Sequence, residues 1–284
     1  MFRTSNPALR NDAFRPAQTW DDLERQGRGG VITATGADTE AAPVADRSVM
    51  TLSGTVNKSF ILLGMCLTTA IFAWTVTTRP DPIVAPGLLV FGGAIAGLIL
   101  ALVCSFKPKT APVTAPLYAL AEGLFVGGIS AFYAMSFAKP GAGLATGLVF
   151  GAILMTFGIF GGVLMGYRMG WIRATPGFTK FVVAATLGVC LYAVLALVLS
   201  LFGITGLASM YDPSNGGLLS IGFSAFVVIL ASANLVLDFE TISNGVQNKA
   251  PKYMEWFGGF ALLVTLVWLY IEVLRLLAKI QSRD

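Results

Sequence analysis

The chain has 284 residues, of which 55% are hydrophobic and 12% charged, with a net charge of +4 and a mean hydropathy of +0.75. The charged share is about half that of a soluble domain, and a water-soluble core cannot hide so much apolar surface. The chain has no histidine, which excludes Ser-His and Cys-His catalysis and removes the usual nitrogen ligand for zinc or haem.

Residues 1–49 carry six Arg and seven Asp or Glu and hold no helical or strand period. That composition suits a flexible tail. It lacks the apolar stretch of a secretory signal and is too acidic for a mitochondrial transit peptide. From Met50 onward seven apolar runs follow, near 58–77, 85–106, 114–136, 142–166, 180–203, 218–242 and 256–278. Each is long enough to cross ~30 Å of hydrocarbon at a rise of 1.5 Å per residue. Breakers separate them: Arg79 to Pro82, Lys107 to Lys109, Lys139 to Gly141, Arg173 to Gly177, Asp212 to Gly217 and Lys249 to Lys252. The expected fold is an all-α integral membrane protein, with residues 1–49 a disordered cytoplasmic tail and 50–284 a seven-helix transmembrane domain.

Positive charge sets the orientation. With the N-terminus cytoplasmic, the inner loops hold Lys107, Lys109, Arg168, Arg173, Lys180, Lys249 and Lys252. The outer loops hold Arg79 and Lys139, and seven spans also put Arg275, Lys279 and Arg283 on the outer side. In the fourth run, Gly143, Gly147 and Gly151, then Gly158, Gly162, Gly166 and Gly170, recur at intervals of four. Such a ladder predicts close helix packing, the alternative being a thin wall beside a conduit. Cys66, Cys104 and Cys190 lie in apolar runs and read as buried small hydrophobes. No metal spacing is visible among them.

Ionisable groups inside a membrane are costly, so each needs a reason. Of the eight acids from Met50 onward, Asp81 and Asp212 lie in connectors and Asp284 ends the chain. Glu122, Asp238, Glu240, Glu255 and Glu272 remain. Asp238 has the richest context. Ser220, Ser224, Val227, Ala231, Asn234, Asp238, Thr241 and Gly245 form a small and polar stripe along the sixth helix. Asn234, one turn earlier, is in position to hydrogen-bond Asp238. Glu240 points about 200° away from Asp238 around the helix. On the last helix, Thr265, Trp268, Glu272 and Arg275 share a face, and Glu272 can pair with Arg275. Glu255 reads as a charge at a helix start. Carboxylates at several depths suit a cation or proton pathway. An aspartyl-type membrane protease needs paired aspartates, and only one Asp lies within the helices, so the chain is not expected to be an enzyme.

Three segments carry a family resemblance: Thr114 to Leu124 (TAPLYALAEGL), Leu237 to Ile242 (LDFETI) and Trp268 to Leu277 (WLYIEVLRLL). In this order they resemble the Bax inhibitor family, in its bacterial YccA-like branch. The resemblance implies a seven-helix bundle with the last helix central, in the bacterial plasma membrane. It implies a pH-sensitive calcium leak channel whose sensor is a pair of acids on helix six and the last helix. Calcium, a hard cation that takes oxygen ligands, enters as the transported ion with Asp238 and Glu240 as candidate ligands, and no cofactor is expected. The family's Phe-Asp-Thr context falls on Phe239-Glu240-Thr241 and points to Glu240, whereas the helical wheel points to Asp238. The second acid of the pair falls near Thr265, so the two-carboxylate sensor departs here, with Glu122, Glu255 or Glu272 as replacements. The alternative role implied is a non-transporting regulator bound to a membrane-anchored protease. The lipid bilayer is the expected environment, with no nucleic-acid partner.

Overall fold

The computed structural model describes residues 48–283 apart from 80, 82, 83, 139, 140 and 142. Up to position 47 the expected N-terminal tail lies outside the described residues. The helices are α1 (Leu52–Thr77), α2 (Pro86–Phe106), α3 (Ala111–Ser136), α4 (Thr146–Arg168), α5 (Pro176–Leu201), α6 (Leu218–Gln247) and α7 (Met254–Gln281). All seven are long and apolar enough to cross a membrane. The shortest, α2, has 21 residues, about 32 Å of helix against ~30 Å of hydrocarbon.

The boundaries follow from local chemistry. Thr51 caps α1 by accepting the Gly54 N–H at 3.0 Å, and Thr175 caps α5 by accepting that of Phe178 at 3.3 Å. Helix α4 starts at Thr146, later than the apolar run suggests. Gly141 and Gly143 have φ of +77° and +74°, left-handed conformations that a right-handed helix cannot include. Short connectors make consecutive helices alternate in direction. The end where α1 begins is called the entry end below.

Helix α7 is central, packing against α1, α3, α4 and α6. One side of it joins Leu269, Val273 and Leu274 to Leu235 of α6 and Ala152 of α4. The other joins Phe260, Leu263 and Val267 to Leu62 of α1 and Tyr118 of α3. Helix α5 is peripheral and leans on α6. Phe60, Phe91, Leu154 and Leu191 are each at least 68% exposed and form part of the surface that lipid must cover.

The closest helix approaches are made by α3. A Cβ at Gly123 would collide with the Cys66 carbonyl and Thr69 of α1, and one at Gly127 with the Ala70 carbonyl. The spacing is a Gly-x-x-x-Gly contact. The conspicuous ladder on α4 does not pack this way. Around Gly147, Gly158 and Gly162 nothing lies within 4 Å of an added Cβ, while Gly151 meets only Leu277 and Gly166 only Ile172 of the following turn. The spacing sets one helical face but does not say what faces it, and here the face is open. Cys66 and Cys104 are buried as expected, whereas Cys190 is exposed on the peripheral α5.

At the entry end a short strap closes the bundle. Met50 N–H donates to the Ala250 carbonyl at 2.7 Å, and Lys252 N–H donates to that of Ser48 at 2.9 Å. Glu255, 1% exposed, accepts from Thr51 N–H at 3.0 Å, Thr51 Oγ1 at 2.7 Å and Lys252 Nζ at 2.8 Å. Glu255 thus clasps the start of α1 to the start of α7.

Gly127→Ala forces α3 from α1 and should destabilise the bundle by about 1–3 kcal/mol. Gly158→Ala, which meets open space, should be neutral or stabilising by up to about 1 kcal/mol. Thermal unfolding of both variants in one detergent checks the contrast.

Candidate functional site

Asp238 stands in the seam between α6 and α7. Its Oδ2 is buried without a hydrogen-bond partner. Its polar neighbour across the seam is the Thr265 side chain of α7, and Thr265 Oγ1 also donates to the Ala261 carbonyl at 3.3 Å. Glu240 points away, as the wheel required. Its Oε2 accepts from Tyr167 Oη of α4 at 2.9 Å, and its Oε1 from Asn244 Nδ2 at 3.4 Å. The two carboxylates therefore face different helix pairs. Among the described residues no three of Asp, Glu, Cys or His gather to hold a metal.

Asn234 does not bond Asp238. Its amide donates to Thr186 Oγ1 of α5 at 2.8 Å and to the Leu230 carbonyl at 2.9 Å. The polar stripe thus divides: Ser224 faces α7, Ser220 Oγ donates to the Met210 carbonyl of the α5–α6 connector, and Asn234 turns to α5. Side chains that the wheel set off the stripe, Val228, Leu235 and Val236, are also buried, because α6 packs against α4, α5 and α7 together. Glu122 lies on the other side of the bundle. Its carboxylate rests against Gly97 of α2, beside Tyr118.

The far end of α7 holds a second polar cluster. Arg275 Nη1 donates to Glu272 Oε1 at 2.6 Å, and Glu272 is 4% exposed. The Arg275 guanidinium lies 4.8 Å from the centre of the Tyr211 ring, a cation–π contact. Burial, then the Glu272 carboxylate, push the Tyr211 phenol up to about 12, so it stays neutral. Lys279 is fully buried and spends its ammonium hydrogens on the Met210 carbonyl (2.5 Å), the Ser220 carbonyl (3.2 Å) and Ser224 Oγ (2.8 Å). It ties the α5–α6 connector to α7. The sequence reading counted Lys279 only as a loop charge. The signal for it was there: Glu272, Arg275 and Lys279 continue one face at intervals of three and four. Tyr167, the partner of Glu240, carried no such signal.

A family model described as Bax inhibitor 1 like matches residues 6–282. The chain belongs to that family. No curated protein and no solved structure matches it. The match starts well before Met50, in the segment that the sequence motifs did not reach.

In this Bax inhibitor chain Thr265 faces Asp238, not Glu240. The acids do not share a described cavity. One cavity of about 400 Å³ lies between α1, α3, α4 and α7, lined by Trp74, Gly127, Phe150 and Tyr270 among others, and touches none of the five acids. Another, of about 510 Å³, opens at the entry end between the α4–α5 turn and α6, with Tyr167, Arg168, Arg173 and Glu240 in its wall.

Glu272→Ala leaves Arg275 buried without its carboxylate and should cost about 3–5 kcal/mol, while adding Arg275→Leu should recover much of that loss. Thermal unfolding of the single and double variants is the check, and equal melting of the two would count against a buried pair.

Proposed function

We propose that this protein is a calcium-permeable leak pathway gated by protonation of Asp238. The observation that carries the reading is the buried, unpartnered Asp238 oxygen facing Thr265 in the α6–α7 seam. An ionised carboxylate in a dry seam is costly, so the charged form favours a hydrated, cation-accepting seam. The neutral form removes that cost. A protonated Asp238 can donate to Thr265 Oγ1, whose own hydrogen goes to the Ala261 carbonyl, and the seam closes. Falling pH therefore closes the pathway. Glu240, in the wall of the entry-end cavity, is the cation-attracting group at that mouth and not the switch. The reading is of a conduit without enzymatic activity and without a resident cofactor, calcium being cargo.

The reading extends to location. The entry end carries Lys107, Lys109, Arg168, Arg173, Lys249 and Lys252, which favours a cytoplasmic entry end and N-terminus. Arg275 and Lys279 are held inside the bundle, so they do not act as free loop charges against that orientation. The motifs resemble those of the bacterial YccA-like branch, which favours the plasma membrane.

A second reading has support in the family match reaching residue 6: a non-transporting regulator that engages a membrane-anchored protease through its N-terminal segment. Calcium-dye flux into proteoliposomes separates the two. On the channel reading, wild type conducts above empty vesicles and less at acidic pH. Asp238→Asn conducts near the level of empty vesicles with a flat pH profile, and Glu240→Gln lowers flux while keeping the pH profile. Absence of flux at every pH ends the channel reading. Removing residues 1–47 leaves flux in place on the first reading and abolishes protease pull-down on the second.

A further inference from the structure

The seam that holds Asp238 has a stopper at its entry end. The Met50 side chain is 4% exposed and wedges between α6 and α7. A Cβ at Gly245 would stand 2.9 Å from Met50 Sδ, and one at Gly258 would stand 3.5 Å from Met50 Cε. Gly245 follows Asp238 by seven residues, and Gly258 precedes Thr265 by seven. Seven residues make two helical turns, about 10 Å, and return to the same face. Met50 therefore lies in the same groove as Asp238 and Thr265, two turns nearer the entry end on both helices. Ile242, 5% exposed, lies against Gly258 beside it.

The stopper belongs to neither helix. It sits in the strap, held by the Met50–Ala250 and Lys252–Ser48 backbone bonds and by the Thr51–Glu255 clasp. Glycine at 245 and 258 is what lets a thioether enter: any side chain at either position would meet Met50 or its neighbours. Residues 1–47 connect to the bundle directly through this strap.

We propose that Met50 is a plug that closes the entry end of the α6–α7 seam and controls access of water and cations to Asp238. The proposal deepens the channel reading, in which Asp238 is the charged group of the pathway, but its first test does not depend on flux. Asp238→Cys, with Cys66, Cys104 and Cys190 replaced by Ala, is placed in nanodiscs. It is reacted with methanethiosulfonate-ethyltrimethylammonium, a cationic, membrane-impermeant thiol reagent. With Met50 present the thiol reacts slowly. Met50→Ala removes most of the wedge and speeds labelling at least about tenfold. Met50→Leu, which keeps the bulk, leaves labelling slow. Equal rates with Met50 in place and in the Met50→Ala variant overturn the plug.

A control retains Cys104 alone, since it is buried in α2 away from the seam. If Met50→Ala accelerates its labelling as much as that at 238, the bundle has loosened as a whole and the plug is overturned. Calcium-dye flux is the second arm. Met50→Ala raises flux above wild type if the seam conducts. Faster labelling with no flux in either protein keeps the plug and ends the channel reading.

Discussion

A charged or polar group in hydrocarbon has to find its partner within the protein, and this requirement shapes α7 more than any other element. The helix is central and carries Glu255, Glu272, Arg275 and Lys279. Glu255 is satisfied by the start of α1 and Lys279 by carbonyls and a hydroxyl from the α5–α6 connector and α6, while Arg275 pairs with Glu272 and the Tyr211 ring but leaves its Nε and Glu272 Oε2 without a hydrogen-bond partner. These contacts fasten both ends of α7. The middle of the helix is mostly apolar packing, broken by Thr265 facing Asp238 and by Tyr270, whose hydroxyl lies 2.7 Å from Ser130 Oγ of α3.

The two sides of α7 are built differently. On the α1–α3 side, glycines at 123 and 127 bring backbones into direct contact, leaving no room for displacement without a clash. On the α4 side, the glycine face is open and a cavity of about 400 Å³ separates α1 from α4. The bundle thus joins a close-packed frame of α1, α2 and α3 to a looser set of α4, α5 and α6. Asp238 belongs to the looser set, in the seam where it meets the central helix. Glu122 belongs to the frame, fixed against Gly97. A carboxylate whose protonation changes packing is useful in the first location and has little to move in the second.

The sequence made much of this legible because its strongest signals are local. Seven apolar runs, each ended by Pro, Gly or charge, define seven spans, and an i,i+3 pair such as Glu272 and Arg275 follows from helical geometry alone. Azimuth was also readable: Asp238 and Glu240 do point to different neighbours. The identity of those neighbours was not readable, because it depends on how helices distant in sequence are arranged. Asn234 found Thr186, 48 residues away, in preference to the acid one turn along. Glu240 found Tyr167, 73 residues away. The glycine ladder on α4 had the right period for close packing, yet Gly147, Gly158 and Gly162 have nothing against them and only Gly151 meets another helix, at Leu277. The tight contact came from the single Gly123–Gly127 pair on α3, which has the same four-residue spacing. The strap at Val49 to Thr51 left no trace in hydropathy, since three residues cannot form a period.

On the proposed reading, a threonine opposite Asp238 makes a different kind of switch from the one a second carboxylate would make. Two carboxylates in contact share a proton and titrate as a coupled pair, in two steps that belong to neither residue alone. A threonine does not titrate, so Asp238 and Thr265 form a one-proton unit. The hydroxyl accepts from a protonated Asp238 or donates to an ionised one, and in the second case it must release the Ala261 carbonyl. Each state of the acid thus selects a different rotor of one hydroxyl on the central helix. On the proposed reading the seam responds to pH as a single site, with the α7 backbone at Ala261 as the group that registers the change.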